Sequence, residues 1–197
     1  MKILTDIERI NKGIITVYGE RGSGKTILSL WIALKKLESK SNIIYLLSNY
    51  YSVIEHFKKI EKNISIEFVE ISSIDDIENV IVERGKKGMK NNIIIVDRIS
   101  IFRLEPYESL ESYRKFSILL ALIYFDASSQ NNLYILNYSD GFGEKAFNIV
   151  EYFSNILINT SLQDNYLILS VKLKDINITY NESIILNKIQ GEIYGRS

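Results

Sequence analysis

Residues 19–26 carry the clearest chemical signature in the chain. They read Gly-Glu-Arg-Gly-Ser-Gly-Lys-Thr and fit the pattern G-x-x-x-x-G-K-[ST] in full. In such a loop, glycines let backbone N–H groups approach phosphate oxygens, the lysine reaches the β- and γ-phosphates, and the last hydroxyl binds Mg²⁺. The sequence therefore predicts a nucleotide-binding site formed by Gly19, Glu20, Arg21, Gly22, Ser23, Gly24, Lys25 and Thr26.

The surroundings of this loop favour a phosphate site over a glycine-rich turn that binds nothing. An apolar run at 14–18 precedes the loop, and an amphipathic pattern follows from Lys25 to about Lys40. A strand before the motif and a helix after it are the context in which this motif binds phosphate. The helix contributes because the positive end of its dipole points at the anion.

Asp97 is the second element of the expected site, after the loop, and it is acidic. It follows four consecutive aliphatic residues at 93–96, so we expect it at the end of a buried strand. There its carboxylate would lie at the edge of the sheet that carries the phosphate loop. A helix cap or a salt-bridge partner is the alternative. We predict that Thr26 and Asp97 bind Mg²⁺ with ATP; GTP is disfavoured because no Asn-Lys-x-Asp stretch is present.

Composition and charge restrict the class of protein. The 197 residues, 46% of them hydrophobic, suffice for one packed core but not for two ordinary domains. Without cysteine, disulfides and thiolate metal sites are excluded, and 24 basic against 24 acidic residues give no overall charge that favours nucleic acid. The first residues lack signal-peptide features and no apolar run could cross a bilayer. We expect one cytoplasmic domain over 1–197 without membrane insertion.

Short apolar runs alternate with longer helical patterns over the first two-thirds of the chain. This alternation predicts the α/β class, with a mostly parallel sheet that helices cover on both faces. Three strand-like runs with short connections follow, which predicts antiparallel strands at the edge of that sheet. The predicted strands are 14–18, 43–47, 64–71, 92–97, 133–137, 155–160, 166–174 and 176–180, and the predicted helices run from Lys25 to about Lys40, over 75–84 and over 110–128.

Four segments together resemble the RecA-type recombinases, in particular archaeal RadA and its short paralogues of the RadB kind. They are KGIITVYGERGSGKTILSLWIAL, IIIVDRISIFRLE, YILNYSDGFGEKAFNIVEYFSNILINT and, as closing strands, LILSVKLKDINITYNESIILNKIQGEI. The resemblance covers nearly the whole chain, and its specific parts are the phosphate loop and the Asp97 strand. It implies a RecA-like P-loop core that binds ATP, without the N-terminal helical domain and oligomerisation linker of full recombinases.

Two departures from the family pattern bear on ATP hydrolysis. In active members the second strand ends in an acidic residue that activates the attacking water, and Asn49 falls at that position here. An amide cannot act as a general base, although it can hold a water molecule. The family has Asn-Gln at the end of a later strand, where Gln senses the γ-phosphate; this chain keeps Asn137 and has Tyr138 instead of Gln. The resemblance therefore implies slow or absent hydrolysis.

Other charged positions bear on DNA binding. Arg98 replaces the family's Ser after the acidic residue, where it can pair with Asp97 or contact phosphate. The segments that match the DNA-contacting loops are depleted, since 105–111 has three acids and no base and 139–145 is short. A basic cluster at 84–90 could meet phosphates, but a solvated turn is the commoner explanation. We expect weak or indirect DNA binding.

Three functions stay open at this point. The first is an ATP-binding paralogue that assists homologous recombination or DNA repair through a recombinase, a repair factor or self-association, without strand exchange of its own. The second is a regulatory ATP-binding subunit of the KaiC kind, such as an archaellum-motor accessory subunit. The third is an active ATPase with a base at Glu55, at Glu70 or from a neighbouring subunit. Tyr50, Tyr51 and Tyr152 could anchor an interface, although core or half-buried packing is the commoner role.

Overall fold

The computed structural model describes residues 2–37, 40, 42–48, 66–99, 110–139 and 143–194. Within these ranges the chain forms eight strands and six helices. The strands are β1 (Gly13–Gly19), β2 (Ile43–Leu47), β3 (Ile66–Glu70), β4 (Ile93–Asp97), β5 (Leu133–Ser139), β6 (Ile156–Gln163), β7 (Tyr166–Leu173) and β8 (Ile178–Ile185). The helices are α1 (Lys2–Arg9), α2 (Lys25–Lys36), α3 (Ile74–Lys86), α4 (Leu110–Ser129), α5 (Gly143–Phe153) and α6 (Leu186–Tyr194).

All eight strands belong to one sheet with the order β3-β2-β4-β5-β1-β6-β7-β8. The pairings from β3 to β6 are parallel, and the pairings of β6 with β7 and of β7 with β8 are antiparallel. The predicted α/β class, with a mostly parallel sheet and antiparallel strands at the C-terminal end, is therefore confirmed. In this order β5 separates β1, which leads into the glycine-rich loop, from β4, which ends in Asp97.

Helices cover both faces of the sheet. One core layer joins the sheet to α1, α2 and α6, and a second joins it to α3, α4 and α5. Successive side chains of a strand alternate between the layers, so Ile135 of β5 lies in the α2 layer and Leu136 in the α4 layer. β2 and β4 are buried at every position. Burial on both faces explains why these strands are continuous apolar runs.

The predicted boundaries differ most from the observed ones in two places. α2 ends at Lys36 instead of near Lys40, and Leu37 is its C-cap. β8 spans Ile178–Ile185, whereas the prediction ended at Tyr180. β8 is an edge strand that is exposed at most positions, so polar residues interrupt its apolar pattern and weaken the sequence signal. Residues 64 and 65, at the start of the predicted third strand, lie outside the described residues.

Neither α1 nor α6 is predicted from the sequence, and the resemblance implied closing strands where α6 lies. Each helix has two apolar anchors one turn apart, Ile3 and Ile7 in α1 and Ile189 and Ile193 in α6. Two anchors are too few to define a helical period, and a helix this short is stable mainly through tertiary packing. Within the described ranges, no helix combines the length and apolar character that crossing a bilayer requires.

Tyr152 of α5 is 75% exposed, so the expectation of core or half-buried packing is wrong for this residue. α5 buries Ala146 and Val150, which lie one turn apart on the side of the helix that faces the sheet. At 100° per residue, Tyr152 projects roughly 200° away from Val150 and therefore towards solvent. Its predicted interface role stays a prediction, and Tyr50 and Tyr51 lie outside the described residues.

Candidate functional site

The glycine-rich loop begins where β1 ends, between β5 and β6. It therefore emerges at the carboxyl edge of the parallel strands, the edge where ligands of open α/β sheets bind. Gly19 has a φ of 146°, and a Cβ at this position would lie 2.3 Å from the backbone oxygen of Thr160 on β6. Ser23 Oγ and Thr160 Oγ1 lie 2.8 Å apart and hold the loop against β6. Only glycine permits this close approach.

Lys25 lies in the first turn of α2, and its side chain turns back towards the start of the loop. Nζ donates to the carbonyl oxygens of Gly19 at 2.8 Å and of Glu20 at 2.5 Å. The residue is buried, and a buried ammonium group needs such acceptors to offset its lost hydration. The loop thus holds the ammonium group of Lys25 against the carbonyl groups of its own first two residues.

The first turn of α2 differs from that of α3. In α3, Ser73 Oγ accepts a hydrogen bond from the backbone N–H of Asp76, whose carboxylate accepts in return from that of Ser73. α2 begins after Gly24, which has a φ of 85°, and no side-chain cap is present there. The first N–H groups of a helix have no partner within it. In α3 a side chain therefore caps part of the first N–H groups. The first N–H groups of α2 have no side-chain cap and lie next to the glycine-rich loop, an arrangement that suits an anion.

Three separate elements meet in a hydrogen-bonded cluster next to the loop, through Thr26 of α2, Tyr45 of β2 and Asp97 of β4. Thr26 Oγ1 of α2 donates to Asp97 Oδ2 at 2.8 Å, and the hydroxyl of Tyr45 in β2 donates to the same oxygen at 2.6 Å. Both bonds end on Oδ2, and Asp97 is 8% exposed. Oδ1 of Asp97 therefore has no hydrogen-bond donor among the described residues. A hydroxyl and a carboxylate in contact, with one carboxylate oxygen open, form a donor set that fits Mg²⁺.

Tyr45 is a residue of this site that sequence reasoning missed. It is fully buried, and burial together with the nearby charge of Asp97 raises the pKa of its hydroxyl well above the usual tyrosine value. The available signal was a phenol in the middle of an otherwise aliphatic strand, since a buried Tyr normally needs a partner for its hydroxyl. The sequence could not identify that partner because it lies on another strand.

Asn137 lies beside Asp97, two residues before the end of β5. The parallel register pairs these two residues directly, and both side chains lie on the α2 face. Ser29 of α2 donates to Asn137 Oδ1. Asn137 is fully buried, and its Nδ2 makes no hydrogen bond within the part of the chain that the structure describes. A buried amide donor is therefore left next to the Asp97 carboxylate.

Tyr138 points to the opposite side of the sheet. It is buried in the α4 layer, and its ring centroid lies 5.7 Å from that of Phe147 on α5. This orientation follows from strand geometry, because neighbouring residues of a strand project to opposite faces. The assignment of Tyr138 to a γ-phosphate sensor position stays a prediction. Asn49, expected where a water-activating acid would be, lies outside the described residues.

Two other charged residues, Arg98 and Glu70, are candidates for the site. Arg98 is exposed, and the hydrogen bonds of Asp97 go to other residues. The ion pair expected as one of two roles for Arg98 is thus not seen among the described residues. Glu70 ends the edge strand β3, and the register places Leu47 of β2 between Glu70 and Asp97. Two strand spacings, roughly 10 Å, therefore separate the two acids along the edge.

The basic cluster at 84–90 lies at the amino edge of the sheet, where α3 connects to β4 and away from the glycine-rich loop. Arg84 forms an ion pair with Glu67, and Lys86 forms one with Glu83. Both pairs are partly exposed, and such pairs contribute little to stability. Most of the two segments expected as DNA-contacting loops, and Glu55, lie outside the described residues.

A pocket of about 340 Å³ opens beside the loop, on the side of β6. Its walls are formed by the loop residues between Gly19 and Gly24 and by the second half of β6, and they are Glu20, Arg21, Gly22, Ser23, Asn159, Thr160, Ser161 and Leu162. The pocket is therefore continuous with the residues that the motif assigns to phosphate binding. Its volume lies in the range of small-molecule sites.

No protein-family model and no curated protein sequence matches this chain.

Proposed function

We propose that the protein binds ATP together with Mg²⁺ at residues 19–26 and Asp97, on a P-loop core of the RecA type. The observation that carries this proposal is the 2.8 Å hydrogen bond from Thr26 Oγ1 to Asp97 Oδ2. It joins the last residue of the glycine-rich loop to the carboxylate at the end of β4, across 71 positions of sequence. Mg²⁺ is commonly held by one or two protein oxygens and completes its shell with phosphate oxygens and water.

Each group of the loop has a role in this proposal. The N–H groups of the loop and of the uncapped first turn of α2 bind the phosphates. Lys25 exchanges the carbonyl oxygens of Gly19 and Glu20 for oxygens of the β- and γ-phosphates. Thr26 and Asp97 would hold Mg²⁺, which would neutralise part of the charge of the phosphates. The pocket beside the loop has room for the nucleoside.

We further propose that ATP serves mainly to hold a conformation, in a RecA/RadA-type paralogue that assists homologous recombination or DNA repair through a protein partner. The sheet, with its parallel strands and added antiparallel strands, agrees with the architecture that the resemblance implies. Slow hydrolysis follows from Asn49 at the expected position of the water-activating acid. A bound nucleotide can still shift a conformational equilibrium, by as much as its affinities for the two states differ.

An active ATPase is the second candidate, and the placement of Glu70 favours it. This exposed carboxylate lies at the same edge of the sheet as Asp97 and follows Phe68, which packs in the α2 layer, by two positions. Glu70 is thus on the α2 face, in the row that contains Leu47 and Asp97. A general base must come within reach of the attacking water, directly or through one other water. Glu70 could do so only if the nucleotide lies towards β2.

Calorimetric titration of the full chain with ATP tests the binding proposal. We expect saturable binding that requires Mg²⁺, and a loss of roughly 100-fold or more in Lys25→Ala, because a charged contact to phosphate is worth about 3 kcal/mol. Lys35→Ala is the matched control, since Lys35 lies in the same helix and pairs with Glu192 at its surface. Absence of saturable binding by the wild type would refute the proposal.

Steady-state phosphate release separates the two candidates. Slow release with saturable binding supports the nucleotide-held conformation, and Asn49→Glu should then raise the rate, because it restores a carboxylate base. Fast release by the wild type, abolished in Glu70→Gln, would instead establish the active ATPase.

A further inference from the structure

The two edge strands of the sheet differ in how well they are protected against pairing with a further strand. β3 has five residues, two of which are glutamates, and Glu67 of this strand forms an ion pair with Arg84. Short length and charged side chains are common means by which proteins keep a free strand edge from pairing. β3 is therefore a protected edge.

β8, at the other edge of the sheet, lacks most of this protection. It has eight residues without proline, lysine or arginine, and its register with β7 is continuous, so no bulge interrupts the strand. Among the described residues, no backbone hydrogen bond joins 178–184 to a segment other than β7. Alternate residues of a strand direct their N–H and C=O groups to opposite sides. Part of the backbone of β8 therefore points outwards, ready to pair with another strand.

Glu182 is the one charged residue of β8, and its carboxylate has a structural partner. It accepts a hydrogen bond of 2.9 Å from the backbone N–H of Ile3, in the first turn of α1. A carboxylate at the start of a helix is favourable, because the helix dipole is positive there. The charge of Glu182 thus helps to hold α1 on the sheet, which accounts for it without a role in protecting the edge.

We propose that β8 pairs with β8 of a second copy of this chain, antiparallel and about a two-fold axis perpendicular to the sheet. Such an axis keeps the α2 layers of the two copies on the same side. Residues that lie opposite each other must then project to the same face. Tyr180 and Ile184 lie in the α2 layer, so the even-numbered residues of β8 face α2 and the odd-numbered ones face away. The axis must therefore pass through a residue of β8 and not between two residues.

The charges of β8 decide which residue lies on the axis. Only an axis at Asn181 or at Glu182 leaves no more than one residue of the strand unpaired. An axis at Glu182 would place two carboxylates directly opposite each other, which is destabilising. An axis at Asn181 places Glu182 opposite Tyr180 of the second copy, and Lys2 Nζ lies 4.1 Å from the centroid of that ring. This charge complementarity favours Asn181 as the axis position and a second copy as the partner.

The same register covers an exposed apolar side chain at the end of the strand. Ile178 is 41% exposed and would lie opposite Ile184 of the second copy, on the α2 face. Apolar side chains directly opposite each other on neighbouring strands stabilise the pairing. The strand is thus complementary to itself in backbone, charge and apolar contact.

The proposed pairing leaves the nucleotide site of each copy separate. β6 and β7 lie between β1, which leads into the glycine-rich loop, and β8. The two-fold axis reverses the strand direction, so the carboxyl edges of the two parallel regions point in opposite directions. Dimerisation through β8 therefore goes beyond the proposed function and does not depend on ATP.

Sedimentation velocity of the full chain over a range of concentrations tests the proposal. The wild type should be a concentration-dependent dimer. Asn181→Lys and Asn181→Glu each place two like charges opposite each other at the axis, and each should weaken dimerisation roughly fivefold or more. An equimolar mixture of the two variants should restore the dimer, because lysine then lies opposite glutamate.

Asn148→Lys is the matched control and should dimerise like the wild type. Asn148 is exposed on α5, which packs against α4 and β1. The side chain of Asn181 is exposed as well, so both of its variants should fold, which far-UV circular dichroism checks. A monomeric wild type would overturn the proposal. A dimer that persists in both variants at 181, or a mixture that stays monomeric, would also overturn it.

The same samples keep this result apart from that of the ATP titration. Asn181→Lys should bind ATP with the affinity of the wild type, because the axis lies two strands beyond β6. A wild type that dimerises without binding ATP would refute the proposed function and leave the β8 pairing intact.

Discussion

Asp97 and Asp126 are two buried aspartates with the same kind of hydrogen bonding and different surroundings. Each accepts two hydrogen bonds on Oδ2, one of them from a buried tyrosine. The tyrosine distances are 2.6 Å from Tyr45 to Asp97 and 2.7 Å from Tyr134 to Asp126. Burial raises the pKa of both tyrosines well above the usual value, and the neighbouring aspartate adds to the effect. As local chemistry, the two networks are alike.

The Asp126 network lies at the amino edge of the sheet, and the two donors to Asp126 are close to it in sequence. Asp126 is near the end of α4, and its donors Asn132 and Tyr134 lie at the start of β5. Asn132 also accepts from the backbone N–H of Asn92, just before β4. Every bond of this network joins a strand to a helix or to its neighbouring strand. We interpret it as a structural connection between α4 and the sheet.

The Asp97 network lies at the carboxyl edge, and its members come from distant parts of the chain. Thr26 and Tyr45 are separated from Asp97 by 71 and 52 positions. Its neighbours are the glycine-rich loop, the uncapped start of α2 and the buried donor of Asn137. The comparison shows that an Asp–Tyr pair does not define a site by itself. An unpartnered buried group does not define one either, because Gln130, whose backbone N–H donates to the carbonyl of Asp126, also has a buried Oε1 without a partner among the described residues. The glycine-rich loop and the uncapped start of α2 are what set the surroundings of Asp97 apart.

The largest expected difference concerns the two carboxylates. Asp97→Asn should weaken Mg²⁺-dependent ATP binding by at least roughly 10- to 100-fold, the loss that even outer-shell partners of metal ligands produce. Asp126→Asn makes the same chemical change at the other edge and should leave ATP affinity unchanged. Calorimetric titration of both variants measures the effect. Equal losses in the two variants would remove the functional distinction between the networks.

The two tyrosines should also differ in their effect on ATP affinity, and this effect should be smaller than that of the two carboxylates. Tyr45→Phe and Tyr134→Phe each remove one hydrogen bond to a carboxylate, and each should lower the free energy of unfolding by about 2 kcal/mol. Only Tyr45→Phe should weaken Mg²⁺-dependent ATP binding, by roughly tenfold, because Tyr45 holds the orientation of Asp97. Urea denaturation and titration measure the two quantities. Unchanged ATP affinity in Tyr45→Phe would show that Asp97 is oriented without it.

The pH dependence of stability tests whether the pKa is raised for the tyrosine of each network. A tyrosine whose pKa is raised in the folded state stays protonated there, while in the unfolded chain it ionises near pH 10. Its stabilising contribution is therefore complete below pH 10 and is lost as the pH rises further. Between pH 10 and 11 the free energy of unfolding of each Tyr→Phe variant should therefore fall by about 1 kcal/mol less than that of the wild type. Denaturation curves at several pH values measure these slopes, and a wild-type slope in either variant would contradict the raised pKa of that tyrosine.

Much of the architecture is predictable from local patterns. The buried strands β2 and β4 are continuous apolar runs up to the final Asp97. Ser73 and the acidic residues of the first turn indicate the start of α3. Patterns of this kind depend on the few residues around each position, which is why they can be recognised in the sequence. α1 and α6 could not be predicted in this way. Each has only two apolar anchors, and these stabilise the helix only by packing against the sheet.

The candidate site divides in the same way. The sequence by itself determined the glycine-rich loop and the acid at the end of an aliphatic strand, because each is a contiguous motif with its own physical requirement. Only the tertiary structure decided that Tyr45 binds Asp97, that Asn137 and not Tyr138 faces α2, and that a buried amide donor remains next to the carboxylate. These relations depend on strand order, register and face. Contacts between distant residues set all three, so no local pattern encodes them.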